Sequence, residues 1–157
     1  ALISKLIEMG VDLEVGVDYV RVKKSGDLKA IDVTTQIYPG LATDLQQPLT
    51  TLLTQAVGNS TVKETIYPER FKHTQELARM GAQIIAANGQ AVIQGKTALF
   101  ANKVTATDLR CGASLVIAGL LADGVTEIQE IYHIDRGYNG LDGNLARLGA
   151  KMWREHV

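Results

Sequence analysis

The stretch that most constrains this chain runs from Asp108 to Tyr138, DLRCGASLVIAGLLADGVTEIQEIYHIDRGY. It opens with Asp-Leu-Arg, continues through an almost wholly apolar run, turns at Gly124, alternates briefly and closes on Asp135-Arg136-Gly137. A helix apolar on every side is a buried helix. Its charged ends must then meet solvent or a ligand, and the rest of the chain must enclose its body. Ala113 to Ala122 is far shorter than the roughly 20 apolar residues that span a bilayer. Leu115 to Leu121 therefore reads as core, with no membrane contact.

Composition narrows the function. A chain of 157 residues is long enough for one domain with its own core. The net charge of -1 gives no basic surplus for nucleic acid and no acidic surplus for disorder. The lone cysteine, Cys111, cannot form an internal disulfide and suits a reducing, cytoplasmic compartment. It reads as a small buried apolar residue. His73 and His156 read as exposed, and His133 as a structural residue ending a strand. Three scattered histidines and one cysteine make no metal site. No Walker or dinucleotide spacing occurs, so neither metal nor cofactor is expected. The chain opens on what reads as the end of an amphipathic helix, with Leu2, Leu6 and Met9 on one face and Gly10 as its stop. That predicts a piece of a longer chain.

In order, Val11 to Lys23 predicts a hairpin and Ala30 to Ile37 a strand. Leu45, Leu49, Leu52, Leu53, Ala56 and Val57 form a helical stripe that Thr43 or Asp44 would cap and Gly58-Asn59 would end. Thr61 to Tyr67 predicts a strand and Phe71 to Met80 a helix stopped by Gly81. Ala82 to Ala87 and Gln90 to Gln94 flank Asn88-Gly89, a strong hairpin signal. Leu99 to Thr105 and Thr126 to His133 predict strands, and Asn139 to Leu148 a helix ended by Gly149.

The order strand, helix, strand, helix, strand, strand begins at residue 30 and restarts at residue 99. Met9-Gly10-Val11, Met80-Gly81-Ala82 and Leu148-Gly149-Ala150 read as three copies of one helix end. Asp44-Leu45-Gln46 pairs with Asp108-Leu109-Arg110, and Glu69-Arg70 with Asp135-Arg136. The spacing predicts an internal repeat: residues 1-24 the end of a first unit, 25-95 a full unit, 96-157 a nearly full one. Each unit would place an Asp at the mouth of its first helix and an acid-Arg pair at the end of its second strand. Packed together, the units would bring these charges to one rim.

Tyr38 to Asp44, Glu64 to Phe71, Met80-Gly81-Ala82, Asp108-Leu109-Arg110 and His133-Ile134-Asp135-Arg136-Gly137-Tyr138 together resemble the C-terminal part of the UDP-N-acetylglucosamine 1-carboxyvinyltransferase family. The resemblance covers essentially the whole chain. It implies a truncated inside-out α/β barrel of βαβαββ units, the enolpyruvyl transferase fold, with helices inside and sheets outside. It also implies a reaction, the first committed step of peptidoglycan synthesis. The enolpyruvyl group of phosphoenolpyruvate moves to the 3'-hydroxyl of UDP-N-acetylglucosamine and phosphate leaves. By that resemblance Asp44 contacts the sugar hydroxyl and is its proposed base, and Asp108 is a second essential acid. Ile66 touches the UDP-sugar through its backbone, Arg136 holds phosphoenolpyruvate, and Arg70 and Arg110 are cleft arginines. A planar guanidinium suits a carboxylate or phosphate.

Plainer explanations stand beside these. Asp44 and Asp108 sit where helix caps sit; Arg110 is then a surface charge, and Arg70 and Arg136 pair with neighbouring acids. The family's Lys-Asn pair and its reactive-cysteine loop belong to the N-terminal half and have no counterpart here. Leu41-Ala42, Tyr67-Pro68 and Asn139 depart from its usual residues. The isolated chain is expected to be inactive, to need that N-terminal half as partner, and to have a self-association option that covers exposed core. The rival readings are a shikimate-pathway enolpyruvyl transferase and a non-catalytic binding module of the same fold.

Overall fold

The computed structural model describes residues 1–155. The chain opens with α1 (Leu2–Glu8) and an antiparallel hairpin, β1 (Leu13–Val15) and β2 (Val20–Val22). Next come β3 (Leu28–Lys29), β4 (Asp32–Thr34), a 3-10 turn (Thr43–Leu45), α2 (Gln46–Leu53), β5 (Ala56–Lys63), α3 (His73–Arg79), β6 (Gln83–Ala87) and β7 (Gln90–Gly95). The last part holds β8 (Lys103–Thr105), α4 (Leu109–Leu121), β9 (Glu127–Gln129), α5 (Tyr132–Asp135) and α6 (Leu141–Arg147). β5 is the hub of the larger sheet: β3 and β4 pair with it in parallel, β7 antiparallel, and β6 follows β7. β8 and β9 form a separate parallel pair. The mixed α/β class expected from the sequence is the class observed.

Three helices, α2, α3 and α4, pack against the sheets. α4 packs on α2, α3 and α5, while α2 lies against β5 and β7, and α3 against β6 and β8. Cys111 to Val116 are all buried, which is the enclosure an all-apolar helix demands. Its last turn emerges: Leu120 and Leu121 are exposed, not core as their apolarity suggested. Gly112 lets α5 close on α4, because a Cβ there would sit 2.4 Å from Ile134 Cγ1.

Three helix ends share one geometry. Gly10, Gly81 and Gly149 have φ of +88°, +95° and +98°. The residue after each donates to a carbonyl five positions back: Val11 to Leu6, Ala82 to Leu77 and Ala150 to Leu145, at 2.9, 3.0 and 3.1 Å. This is the Schellman closure, which needs a left-handed residue and so favours glycine. The Asn88-Gly89 hairpin forms as expected, with φ of +52° and +72° at its tip.

Several boundaries move, each for a tertiary reason. α2 stops at Leu53; Ala56 and Val57 leave the helical stripe for β5, where they pair with Leu28 and Lys29. Gly58 lies inside that strand, opposite Gly95. The strand predicted over Ala30 to Ile37 forms only over Asp32–Thr34; before it, the Ile31 N–H donates to Ser60 Oγ at 3.2 Å. The strand predicted to reach Tyr67 ends at Lys63, because the Thr65 N–H turns to Thr35 Oγ1 and those of Ile66 and Tyr67 to the Glu64 side chain. Leu99 to Thr105 is strand only over Lys103–Thr105. Thr126 to His133 is strand only over Glu127–Gln129; Glu130 adopts φ +58° and His133 falls in α5.

His73 is fully buried, not exposed, and neither ring nitrogen has a hydrogen-bond partner among the described residues. His156 lies outside the described residues. Burial pushes the His73 imidazole down to about 4 from 6.5, against the opposing pull of Asp108. Between those two values the unfolded chain binds a proton that the folded one refuses. Stability is therefore complete above about pH 6.5 and falls by up to about 3 kcal/mol as the pH drops to 4. Urea denaturation across this window should show that loss in the wild type and a much flatter profile in His73→Leu; equal profiles would remove His73 as the cause.

Candidate active site

The site begins where the 3-10 turn delivers Asp44 ahead of α2. Neither Thr43 nor Asp44 caps that helix: no side-chain cap bond forms there. The cap expectation fails because both side chains are taken by partners from elsewhere. Asp44 Oδ1 accepts from Arg110 Nε at 2.5 Å and from Arg70 Nη1 at 3.2 Å. Arg70 also donates to Thr43 Oγ1 at 2.9 Å, and its guanidinium lies 4.2 Å over the Tyr67 ring.

Asp108 does act as a cap. Its Oδ1 accepts from the backbone of Arg110 at 2.9 Å and of Cys111 at 3.1 Å, in the extended conformation an N-cap requires. Arg110 is therefore gripped twice. Asp108 holds its backbone and Asp44 holds its side chain, so the two acids flank one arginine. The plain cap reading is correct for Asp108 and incorrect for Asp44. Among the described residues neither Arg70 nor Arg136 pairs with the acid beside it in sequence: Arg70 passes over Glu69 for Asp44, and Asp135 is taken by Arg154 at 2.7 Å.

Ile66 reaches the site through a residue to which the sequence assigned no role. Glu64, 3% exposed, accepts on Oε1 from Thr35 Oγ1 at 2.7 Å and from the backbones of Ile66 and Tyr67 at 2.9 and 3.1 Å. Its Oε2 accepts from Thr43 Oγ1 at 2.8 Å. The Ile66 N–H is thus occupied, which leaves its carbonyl for any ligand. The sequence signal for Glu64 was faint: an acid directly after an alternating strand, before Pro68. Ile66 lines a broad open groove with Tyr38, Pro39 and Gly40. Arg70 and Asp108 line a second cleft of about 260 Å³ with Gln47, Tyr67, Glu69 and Lys72.

Arg136 stands apart. It ends α5, is exposed, and makes no ion pair among the described residues. Its neighbours tie it to the mouth of α4: Gly137 backs onto Leu109, where a Cβ would meet Cδ2 at 2.6 Å, and Ile134 packs on Gly112. The acid-Arg pairs were expected at strand ends. Glu69-Arg70 instead lies in the turn before α3, and Asp135-Arg136 at a helix end.

Electrostatics follow from these contacts. The Arg110 hydrogen bond, with help from Arg70 and against partial burial, holds Asp44 below the usual carboxylate range. The same bond raises Arg110. Burial pushes the Cys111 thiol up, away from the reactive thiolate. The result is an exposed, ionised acceptor between two guanidinium groups, an arrangement suited to a polar hydroxyl and an anion side by side.

Residues 1–145 match the model of the EPSP synthase (3-phosphoshikimate 1-carboxyvinyltransferase) family. The chain belongs to that family. Within it, the chain is 53% identical over all its length to a UDP-N-acetylglucosamine 1-carboxyvinyltransferase 2 of Geobacillus kaustophilus, and 52% identical to that of Bacillus subtilis. It spans 37% of the length of each. The crystal structure of the enolpyruvyl transferase NikO from Streptomyces tendae superposes with a TM-score of 0.88 at 29% identity, covering 96% of this chain and 35% of that one. EPSP synthase from Acinetobacter baumannii shares the fold, with a TM-score of 0.60 at 18% identity over 87% of this chain and 35% of that one. The resemblance read from the motifs and the enolpyruvyl transferase fold are both borne out.

The grip on Asp44 is open to measurement. Arg110→Ala should raise the Asp44 pKa towards the ordinary carboxylate value in a carboxyl NMR titration. An unmoved value would mean that the guanidinium is not what depresses it.

Proposed function

We propose that this chain forms part of an enolpyruvyl transferase that moves the enolpyruvyl group of phosphoenolpyruvate to the 3'-hydroxyl of UDP-N-acetylglucosamine, releasing phosphate through a tetrahedral intermediate. The observation that carries the reading is Asp44 held between Arg70 and Arg110 at the mouth of α2. Residues 25-95 would be one full repeat unit, 96-157 a nearly full one, and 1-24 the end of a first. The partner would be an N-terminal half closing over this face. The setting would be the bacterial cytoplasm and cell-wall synthesis, with its consequences for cell shape and division.

On this reading each residue takes a role. A general base works best with a pKa near the working pH. Asp44 is ionised but weakly basic while Arg110 holds it. It would first accept a hydrogen bond from the sugar hydroxyl and orient it, and gain basicity once the bound substrates draw Arg110 away. Asp108 would serve as the fixed post that keeps Arg110 in reach. Ile66 would contact the UDP-sugar through its carbonyl. Arg70, Arg110 and Arg136 would surround the anionic donor, each suited to bidentate contacts. Rate enhancement would come from placing the two substrates together and from charge stabilisation.

The shikimate-pathway reading is disfavoured by similarity: about half of the residues match the amino-sugar relatives, against 18% for the Acinetobacter EPSP synthase. Phosphate release by the full-length protein should occur with UDP-N-acetylglucosamine and not with 3-phosphoshikimate. The isolated 157-residue chain should release none. Calorimetry with UDP-N-acetylglucosamine separates the amino-sugar transferase from a non-catalytic module that keeps the repeat without the site. In the full-length protein Asp44→Asn should lower kcat by at least about 100-fold. The Asp44 side chain is 59% exposed, so the same change should cost no more than about 1 kcal/mol of stability. Wild-type turnover by Asp44→Asn would end its catalytic role.

A further inference from the structure

We propose that Glu64 is a positioning residue: its buried carboxylate sets the direction of the Thr43 hydroxyl and thereby fixes Arg70 beside Asp44. This rests on the transferase reading above. The starting point is an oddity of charge. Glu64 is buried, yet none of the ion pairs among the described residues includes it. Burying a charge is costly unless strong partners compensate. Here only neutral donors do so, two hydroxyls and two backbone N–H groups. Those bonds outweigh the burial and keep the carboxyl below its ordinary pKa.

The hydrogen-bond inventory dictates the direction. An ionised carboxylate only accepts, a guanidinium only donates, and a threonine hydroxyl has one proton to give. Thr43 must therefore give its proton to Glu64 and turn a lone pair to Arg70 Nη1. Nη1 also donates to Asp44 Oδ1, so in the chain Asp44–Arg70–Thr43–Glu64 the guanidinium donates to both sides and the Thr43 hydroxyl passes one bond on to Glu64. A second route supports the first. The Tyr67 ring that Arg70 stacks on has its backbone N–H on Glu64. Held through Nη1 and its face, Arg70 uses neither Nη2 nor Nε in any hydrogen bond among the described residues. That free edge lies on a residue lining the cleft shared with Asp108 and Lys72. A two-pronged donor edge is what a carboxylate or phosphate needs.

Glu64→Gln keeps one acceptor oxygen but turns an NH2 group on Thr43. The hydroxyl then faces a donor on both sides and loses the acceptor for its own proton, so its direction, and with it the lone pair offered to Arg70, is no longer fixed. Thr43→Val breaks the same link without touching Glu64. In the full-length enzyme each should raise KM for phosphoenolpyruvate by about tenfold, the equivalent of one good hydrogen bond, with a smaller change in kcat. The double variant should be little worse than either alone, because both cut one chain. Thr43→Ser, which keeps the hydroxyl, should restore KM. A wild-type enzyme without activity on UDP-N-acetylglucosamine and phosphoenolpyruvate would sink the functional reading itself. With an active wild type, KM within twofold for Thr43→Val, or effects that multiply in the double variant, would overturn the positioning role. Thr43→Val carries the test if Glu64→Gln does not fold.

Discussion

The structure depends on the burial of α4. A helix with no polar face cannot lie on a surface, so α2, α3 and α5 must surround it and the sheets must stand outside them. Only its ends escape. The first turn still needs acceptors for its free N–H groups, and Asp108 supplies them. That single requirement puts an acid, and with it Arg110, at the rim. Arg110 then reaches Asp44, which precedes the helix packed against α4. Core packing and site assembly are in this sense one event.

Two acids near this rim show how environment divides labour. Asp44 is exposed and faces two guanidinium groups; screening by water keeps the energetic worth of such pairs small. It is free to exchange one partner for another. Glu64 is buried among hydroxyls and backbone donors, which cannot leave without stranding a charge. It suits holding, not exchanging. His73, buried near the charge of Asp108 with no hydrogen-bond partner among the described residues, is the counterweight: a polar group that the fold tolerates only in its neutral form.

Much of this was legible in the residues. Glycine after Met9, Met80 and Leu148 marked three Schellman ends, because a left-handed residue is a local demand. Asn88-Gly89 marked its hairpin for the same reason. The motif His133 to Tyr138 and the spaced Asp-Leu-Arg named the family. Less legible was anything settled by a distant partner. The helical stripe ran on through Ala56 and Val57 because periodicity cannot register that β3 waits for those residues. Thr43-Asp44 looked like a cap because nothing nearby announces Arg70 and Arg110. His73 looked exposed because one polar residue in a helix carries no mark of what closes over it.

The sequence by itself determined the family, the helix and hairpin punctuation, the enclosed α4 and the residue types at the rim. These are properties of short stretches, governed by φ preferences and apolar periodicity. Only the tertiary structure decided which oxygen meets which guanidinium. Asp44 lies 26 residues from Arg70 and 66 from Arg110, and Glu64 lies 21 from Thr43. Contacts over such separations exist only once the sheets and helices have packed, and hydrogen-bond direction exists only once the contacts do.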